Sequence, residues 1–153
     1  MIADFQMPLT SFVRTPEELS YCDEPDIWHD IMGHIPFLAE QSYSDMYQLL
    51  ANNYITAYES DRADLLKELD FIGGMFIELG LIRERSGIKA FGATFYSSSE
   101  VFEAVNPKNQ IQFNLAHLQS GESYDKHICQ GKYYIFDSLE QVVDILQAIK
   151  ARF

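Results

Sequence analysis

EPDIWHDIMGHIPFL, residues 24–38, is the stretch on which the reading of this chain turns. Acidic residues stand at its start and Pro25 sits where a first helical turn tolerates a missing N–H, so a helix is expected to begin there. Gly33 and Pro36 are expected to mark its end. Two of the four histidines, His29 and His34, lie inside it five residues apart. In an ideal α-helix a five-residue step turns by about 140° and aims the rings apart, unlike the four-residue pair of zinc proteases. A helix that terminates at Gly33 would free His34 to swing its ring toward the point that His29 faces. The same two residues could also be ordinary half-buried histidines satisfied by hydrogen bonds.

Outward from this stretch, helical periodicity dominates. In SYSDMYQLLANNYITAYES, residues 42–60, Tyr43, Met46, Tyr47, Leu50, Tyr54 and Ile55 recur at spacings of three and four, and Ser42 offers a cap. DRADLLKELDFIGGMFIELGLIRE, residues 61–84, reads as a third helix, apolar on most sides from Phe71 to Ile82 and ending near Gly87. Then IKAFGATFY, from residue 88, reads as a short strand and turn, and SSEVFEAVN, from residue 98, as a short serine-capped helix. KYYIFDS, from residue 132, is a strand of aromatic and β-branched residues, and SLEQVVDILQAIKARF is an amphipathic helix. The opening to about Tyr21, with Pro8 and Pro16, is irregular. No repeat or Pro/Gly/Ser linker interrupts the chain, so the expectation is one mainly α (α+β) domain over residues 1–153 with a small β element.

Glu78 changes the weight of the histidine pair. It lies in GGMFIELGLI, residues 73–82, with no other charge in that run. A buried carboxylate without a partner is costly, so it pairs, protonates or binds a metal. Two imidazoles and one carboxylate leave half an octahedron open, which suits iron(II) and oxygen chemistry. Spacing alone does not choose iron over catalytic zinc.

Bulk properties exclude other chemistries. The formal net charge is −12, from 23 acidic and 11 basic side chains, a field that repels nucleic acid and anionic membrane surfaces. MIADFQMPLTSFVR lacks the basic start and apolar run of a secretory signal, and no apolar stretch is long enough to cross a bilayer, so a soluble cytoplasmic protein is expected. Cys22 and Cys129 show no CxxC spacing, which argues against a disulfide framework or a thiolate metal site.

Taken with its neighbours, EPDIWHDIMGHIPFL resembles the iron-binding signature of the pterin-dependent aromatic amino acid hydroxylases. FIELGL resembles that family's glutamate-ligand segment, SGIKAFGATFYSSSE its downstream substrate-side loop, and SYDKHICQGKYYIFDSLEQV extends the likeness to the C-terminal region. The resemblance implies iron(II) held by His29, His34 and Glu78, and the family's catalytic-core fold. It further implies that Arg14 grips the substrate carboxylate, for which its bidentate fork is suited, that Ser97 supports ligand and substrate geometry, and that Tyr124 lies near the active site. His117 and His127 match no ligand position and are expected to be surface or packing residues.

Three departures shape the functional expectation. Asp30 stands where the family usually has a glutamate that orients the pterin through water. Gly73 and Gly74 replace an aromatic pair that lines the amino acid pocket, at a cost of roughly 1 kcal/mol each in helix stability relative to alanine, which points to close packing or a pocket need. The family segment that stacks on the pterin lies mostly ahead of residue 1. The expected activity is an iron(II) monooxygenase acting on an aromatic amino acid or related aromatic with O2, using tetrahydrobiopterin or a related reduced pterin. The alternatives are a pterin-independent iron oxygenase with another substrate and a non-catalytic metal-binding protein. A second copy of the chain is a further partner compatible with so aromatic a sequence.

Overall fold

The structure is a computed structural model, described here for residues 9–18, 25–120 and 130–153. A helix does begin in the stretch 24–38, at Ile27, but it neither stops at Gly33 nor ends at Pro36. Helix α1, Ile27–His29, passes directly into a wider π-helical turn, Asp30–His34, and then into α2, Ile35–Leu38. The N–H of Ile35 reaches back five residues to the carbonyl of Asp30, and Pro36, which has no N–H, asks for no carbonyl four residues back. The expected break is therefore a change of pitch.

Helix α3, Gln41–Glu59, buries Tyr43, Met46, Leu50, Asn53 and Ala57, a stripe with spacings of three and four. Its N-cap is Glu40, and Ser42 lies inside the first turn with its hydroxyl on the Glu40 carboxylate, which corrects the expected serine cap. The segment predicted as a third helix divides in two. Helix α4, Ala63–Ile72, widens into a second π-helical turn, Gly73–Glu78, and the chain then leaves helical geometry, so that Leu81–Glu84 is strand β1 instead of a last helical turn. Periodicity misread LIRE because its conformation is imposed by neighbours: β1 pairs antiparallel with β2, Gly87–Ala90, and parallel with a distant strand.

The serine-capped helix is the short α5, Glu100–Ala104, in which Ser98 rather than the capping-position Ser99 accepts the N–H of Glu100 at 3.2 Å. After it come β3, Gln110–Gln112, which the sequence did not announce, α6, Ala116–Gln119, and β4, Tyr133–Phe136. Helix α7, Leu139–Lys150, follows a Ser138 cap whose Oγ accepts the N–H of Gln141, and packs against α3.

The four strands form one mixed sheet in the order β2-β1-β4-β3. β4 is central and buried at all four positions, as a strand covered on both faces must be. Its side chains alternate between two cores: Tyr134 and Phe136 join the main cluster with Phe71, Phe76, Phe113 and Leu146, while Tyr133 and Ile135 join a smaller one with Leu79, Leu81 and Phe95. Glu78 sits where the chain passes between the two cores. No helix among the described residues is long and apolar enough to cross a membrane.

Candidate metal centre

The two π-helical turns deliver the three predicted ligand side chains to one point. A π turn bonds each residue to the one five ahead, so a five-residue step that diverges in an α-helix nearly superposes here. His29 and His34 thereby bring their Nε2 atoms to 3.0 Å. Glu78, last residue of the other π turn, places Oε2 3.4 Å from His29 Nε2 and Oε1 3.3 Å from His34 Nε2. Atoms about 2.1 Å from a common ion, with angles between octahedral and tetrahedral, stand roughly 3.0–3.4 Å apart, so these three donors fit around a single metal ion. Among the described residues they form a group able to hold one.

A close backbone approach fixes this arrangement. The N–H groups of Phe91 and Gly92 both donate to the carbonyl of Gly80 at 2.9 Å, pressing the segment after β2 onto the segment after Glu78. A Cβ at Gly92 would run into the Glu78 backbone, so only glycine permits the contact. The 3-10 turn that follows, Ala93–Tyr96, supplies two supports. Thr94 Oγ1 donates to Glu78 Oε2 at 3.1 Å, and Ser97, at its end, sets Oγ 3.0 Å from His29 Nδ1. On the other side Gly33 packs on this turn, where a Cβ would lie 2.7 Å from the Ala93 carbonyl oxygen.

Burial and neighbouring groups move both His29 and Glu78 downward from their ordinary pKa values. Burial pushes the His29 pKa down, and the attraction of Glu78 offsets this only in part. For Glu78, burial acts upward, yet the hydrogen bond and charge of His34, the charge of His29 and the Thr94 hydroxyl outweigh it and hold the carboxyl below its usual range. His34 Nδ1 is buried without a hydrogen-bond partner among the described residues.

Arg14 stands beside the centre with its fork on Asp26: Nε donates to Oδ2 at 2.7 Å and Nη2 to Oδ1 at 2.9 Å. Nη1 donates to the carbonyl of Ser97, and Asp26 also accepts the N–H of His29 at 2.8 Å. Asp26, Arg14, Ser97 and His29 thus close a circuit. Burial raises the Asp26 pKa, but the Arg14 hydrogen bonds and the His29 N–H overcome it and leave the carboxyl below its ordinary value. Arg14 and Ser97 also line a cavity of about 380 Å³ together with Trp28, Phe95 and Tyr96.

The structure brings together His29, His34, Glu78, Ser97 and Arg14. Asp30 is buried next to His29, and its Oδ2 accepts the N–H of Thr10 at 2.8 Å. Tyr124, like His127 and both cysteines, lies outside the described residues. His117 is a packing residue, its ring 4.9 Å from Tyr134 and 6.0 Å from Phe113. Sequence reasoning missed Asp26 and Thr94. Asp26 had a signal, an aspartate one residue ahead of a helix as an N-cap should be. Thr94 had none, since its partner lies 16 residues away.

A mainly helical domain brings two imidazoles and one carboxylate together in a group that could hold one metal ion. Residues 4–153 match the model of the biopterin-dependent aromatic amino acid hydroxylases, and the chain belongs to that family. A phenylalanine-4-hydroxylase of Ralstonia nicotianae is 31% identical over 147 residues, covering 94% of this chain and 45% of that protein. A phenylalanine 3-hydroxylase of Streptomyces coeruleorubidus is 30% identical, covering 88% of this chain and 47% of that one. The cobalt-bound crystal structure of phenylalanine hydroxylase from Chromobacterium violaceum superposes with a TM-score of 0.81 at 27% identity, covering 95% of this chain and 52% of that chain. The chain spans about half the length of the relatives it matches. Its helical architecture with a small sheet is that of the phenylalanine hydroxylase catalytic domains.

Proposed function

We propose that this chain carries the iron(II) site of a monooxygenase that hydroxylates an aromatic amino acid or a related aromatic with O2. The observation that supports it most is the meeting of His29, His34 and Glu78 at 3.0–3.4 Å in a chain of this family. Bound iron(II) supplies oxygen activation, with tetrahydrobiopterin or a related reduced pterin as electron donor. The protein's own contribution is orientation. Ser97 fixes the His29 ring through Nδ1 and leaves Nε2 for the metal, as a ligand histidine requires. Thr94 does the same for one oxygen of Glu78, and the depressed His29 pKa keeps that ring a ligand rather than a cation.

In this reading the substrate lies in the cavity lined by Arg14, Trp28, Phe95, Tyr96 and Ser97. The guanidinium charge attracts the amino acid carboxylate while the aromatic rings take the side chain. Asp30 is assigned to the pterin, and Tyr124 to the substrate side of the site. Gly73, which leaves open space where the family places a ring, favours a second reading: an iron oxygenase with another substrate and no pterin requirement.

The test is anaerobic loading with iron(II), then oxygen uptake and product analysis with phenylalanine, tyrosine or tryptophan, with and without tetrahydrobiopterin. Pterin-dependent uptake with a hydroxylated amino acid is the expected result. Uptake that ignores pterin would transfer the assignment to the second reading, and tight iron binding with no uptake would make the chain a non-catalytic metal-binding protein.

A further inference from the structure

The helical stretch from α1 to α2 is turned inside out. Its buried positions are Asp26, His29, Asp30, Gly33 and His34, while Trp28, Ile31, Met32 and Ile35 face outward, 57%, 40%, 40% and 41% exposed. Helix α7 shows the usual order, with Val142, Ile145, Leu146 and Ile149 buried and Glu140, Asp144, Gln147 and Lys150 outward. The inward face of the α1–α2 stretch is given to the metal-binding group and its supports, so its large apolar side chains fall on the other face. No Asp, Glu, Lys or Arg occurs between Asp30 and Glu40 to interrupt that stripe. Beyond Trp28 it continues onto Tyr96 and Phe102, which line the Arg14 cavity with it and are 46% and 75% exposed.

Exposed apolar surface of this extent marks an interaction site, and the cores of such sites are rich in aromatic residues and Met and poor in charge. The choice of occupant follows from charge, spacing and area. A net charge of −12 disfavours an anionic membrane surface, and a stripe without charges offers a charged partner nothing to pair with. The stripe does fit itself. Its spacing of three, one and three residues reads the same from both ends, so across a two-fold axis Trp28 meets the partner's Ile35 and Ile31 meets the partner's Met32. At these exposures the six side chains offer roughly 600 Å², against about 800 Å² per partner in a standard stable interface. We propose that the outward face of the α1–α2 stretch joins two copies of this chain in a symmetric dimer, with Ile31 and Met32 beside the axis and Trp28 packed on Ile35 at either side. The edge of the interface reaches Tyr96 and Phe102, so the second copy borders the Arg14 cavity. The inference needs neither metal nor turnover and stands or fails apart from the proposed function.

The experiment is sedimentation equilibrium of the full, metal-free chain, paired with acrylamide quenching of Trp28, the single tryptophan and so a reporter placed on the stripe itself. An apolar interface of this size is expected to give a dissociation constant on the order of 10 μM. Well above it the chain sediments as a dimer with Trp28 shielded from the quencher, and well below it as a monomer with Trp28 accessible. Added salt tightens the dimer, because it screens the repulsion between two copies of the same net charge. Met32→Glu and Met32→Lys each set like charges beside the axis and weaken the dimer by about a hundredfold or more, with the circular dichroism spectrum unchanged, while a mixture of the two variants forms a heterodimer. Tyr58→Glu, at an exposed aromatic of α3, leaves the dimer as it was. A monomer at every concentration, a dimer that leaves Trp28 open to the quencher, or one undiminished by the folded Met32→Glu and Met32→Lys variants would each overturn the proposal.

Discussion

The α3–α7 pair and the two π-helical turns are built from the same kinds of residue and put to different uses. In α3 and α7, side chains recur at three and four residues, so each buries a stripe that meets the other: Met46, Leu50 and Ala57 on one, Val142, Leu146 and Ile149 on the other. A buried hydrogen bond of 2.8 Å from Asn53 Nδ2 to the Leu146 carbonyl fixes their register. The π turns at Asp30–His34 and Gly73–Glu78 have a wider pitch and help aim three polar side chains at one point, the second while burying Met75, Phe76 and Ile77 in the main core. Regular pitch serves the core alone, and altered pitch lets one turn serve both core and site.

If that division holds, stability and metal binding separate under mutation. Leu146 is fully buried between α3 and the sheet, so Leu146→Ala should cost about 2–5 kcal/mol of unfolding free energy, measured by urea denaturation, while the folded fraction keeps its metal affinity. Glu78→Ala should do the reverse. It removes one of three donors, so iron(II) or cobalt(II) binding by calorimetry should fall below detection, with a urea midpoint close to wild type. Metal retained by Glu78→Ala, or lost by folded Leu146→Ala, would merge the two regions into one cooperative unit and break the comparison.

The same contrast explains how much the sequence reveals. The stripes of α3 and α7 could be read because α-helical periodicity is local, and β4 because aromatic and β-branched residues cluster there. The convergence of His29, His34 and Glu78 was anticipated from residue type and from family likeness, but the route by which His29 and His34 meet was not. An α-helical wheel separates them, and the expected remedy, termination at Gly33, differs from the π turn that the backbone adopts. Nothing local announces a π turn, because its stability comes from what it packs on, here the Ala93–Tyr96 turn. LIRE was misread for a related reason: β1 exists because β4, some fifty residues later, pairs with it, Leu81 opposite Ile135. Thr94 was equally remote and Ser97 was reached only through the family likeness, whereas Asp26 was readable as a cap and was passed over.

A smaller perturbation sharpens the point about packing. Gly33 contacts the Ala93 backbone so closely that Gly33→Ala must separate the first π turn from the 3-10 turn that carries Thr94 and Ser97. Overpacking of this kind costs about 1–3 kcal/mol. Unlike Leu146→Ala, it should weaken metal binding as well, because it moves the supports of His29 and Glu78 relative to the ligands. Cobalt(II) titration is the check: an unchanged affinity would mean that the two turns hold their ligands independently.

The smallest expected effect lies farthest from the site, at the start of α4. Arg62 grips Asp64 through Nε and Nη2 at 2.9 and 2.8 Å, and its Nη1 reaches the Arg152 carbonyl, tying the end of the chain to α4. The Arg62 hydrogen bonds, with backbone N–H groups at the helix start, lower the Asp64 pKa from 3.8 to about 2. A lowered acid pKa stabilises the fold at pH above the unfolded value, and that contribution disappears as pH falls through the folded one. The relevant window is therefore about pH 4 to 2. Asp64→Asn should lower the urea midpoint slightly at pH 7, by far less than Leu146→Ala, since the pair is solvent-exposed and screened. The difference from wild type should shrink on acidification and vanish as Asp64 itself protonates. A difference that persisted undiminished in acid would assign the residue's effect to its hydrogen bonds at the helix start rather than to its charge, and in either case metal affinity should not move.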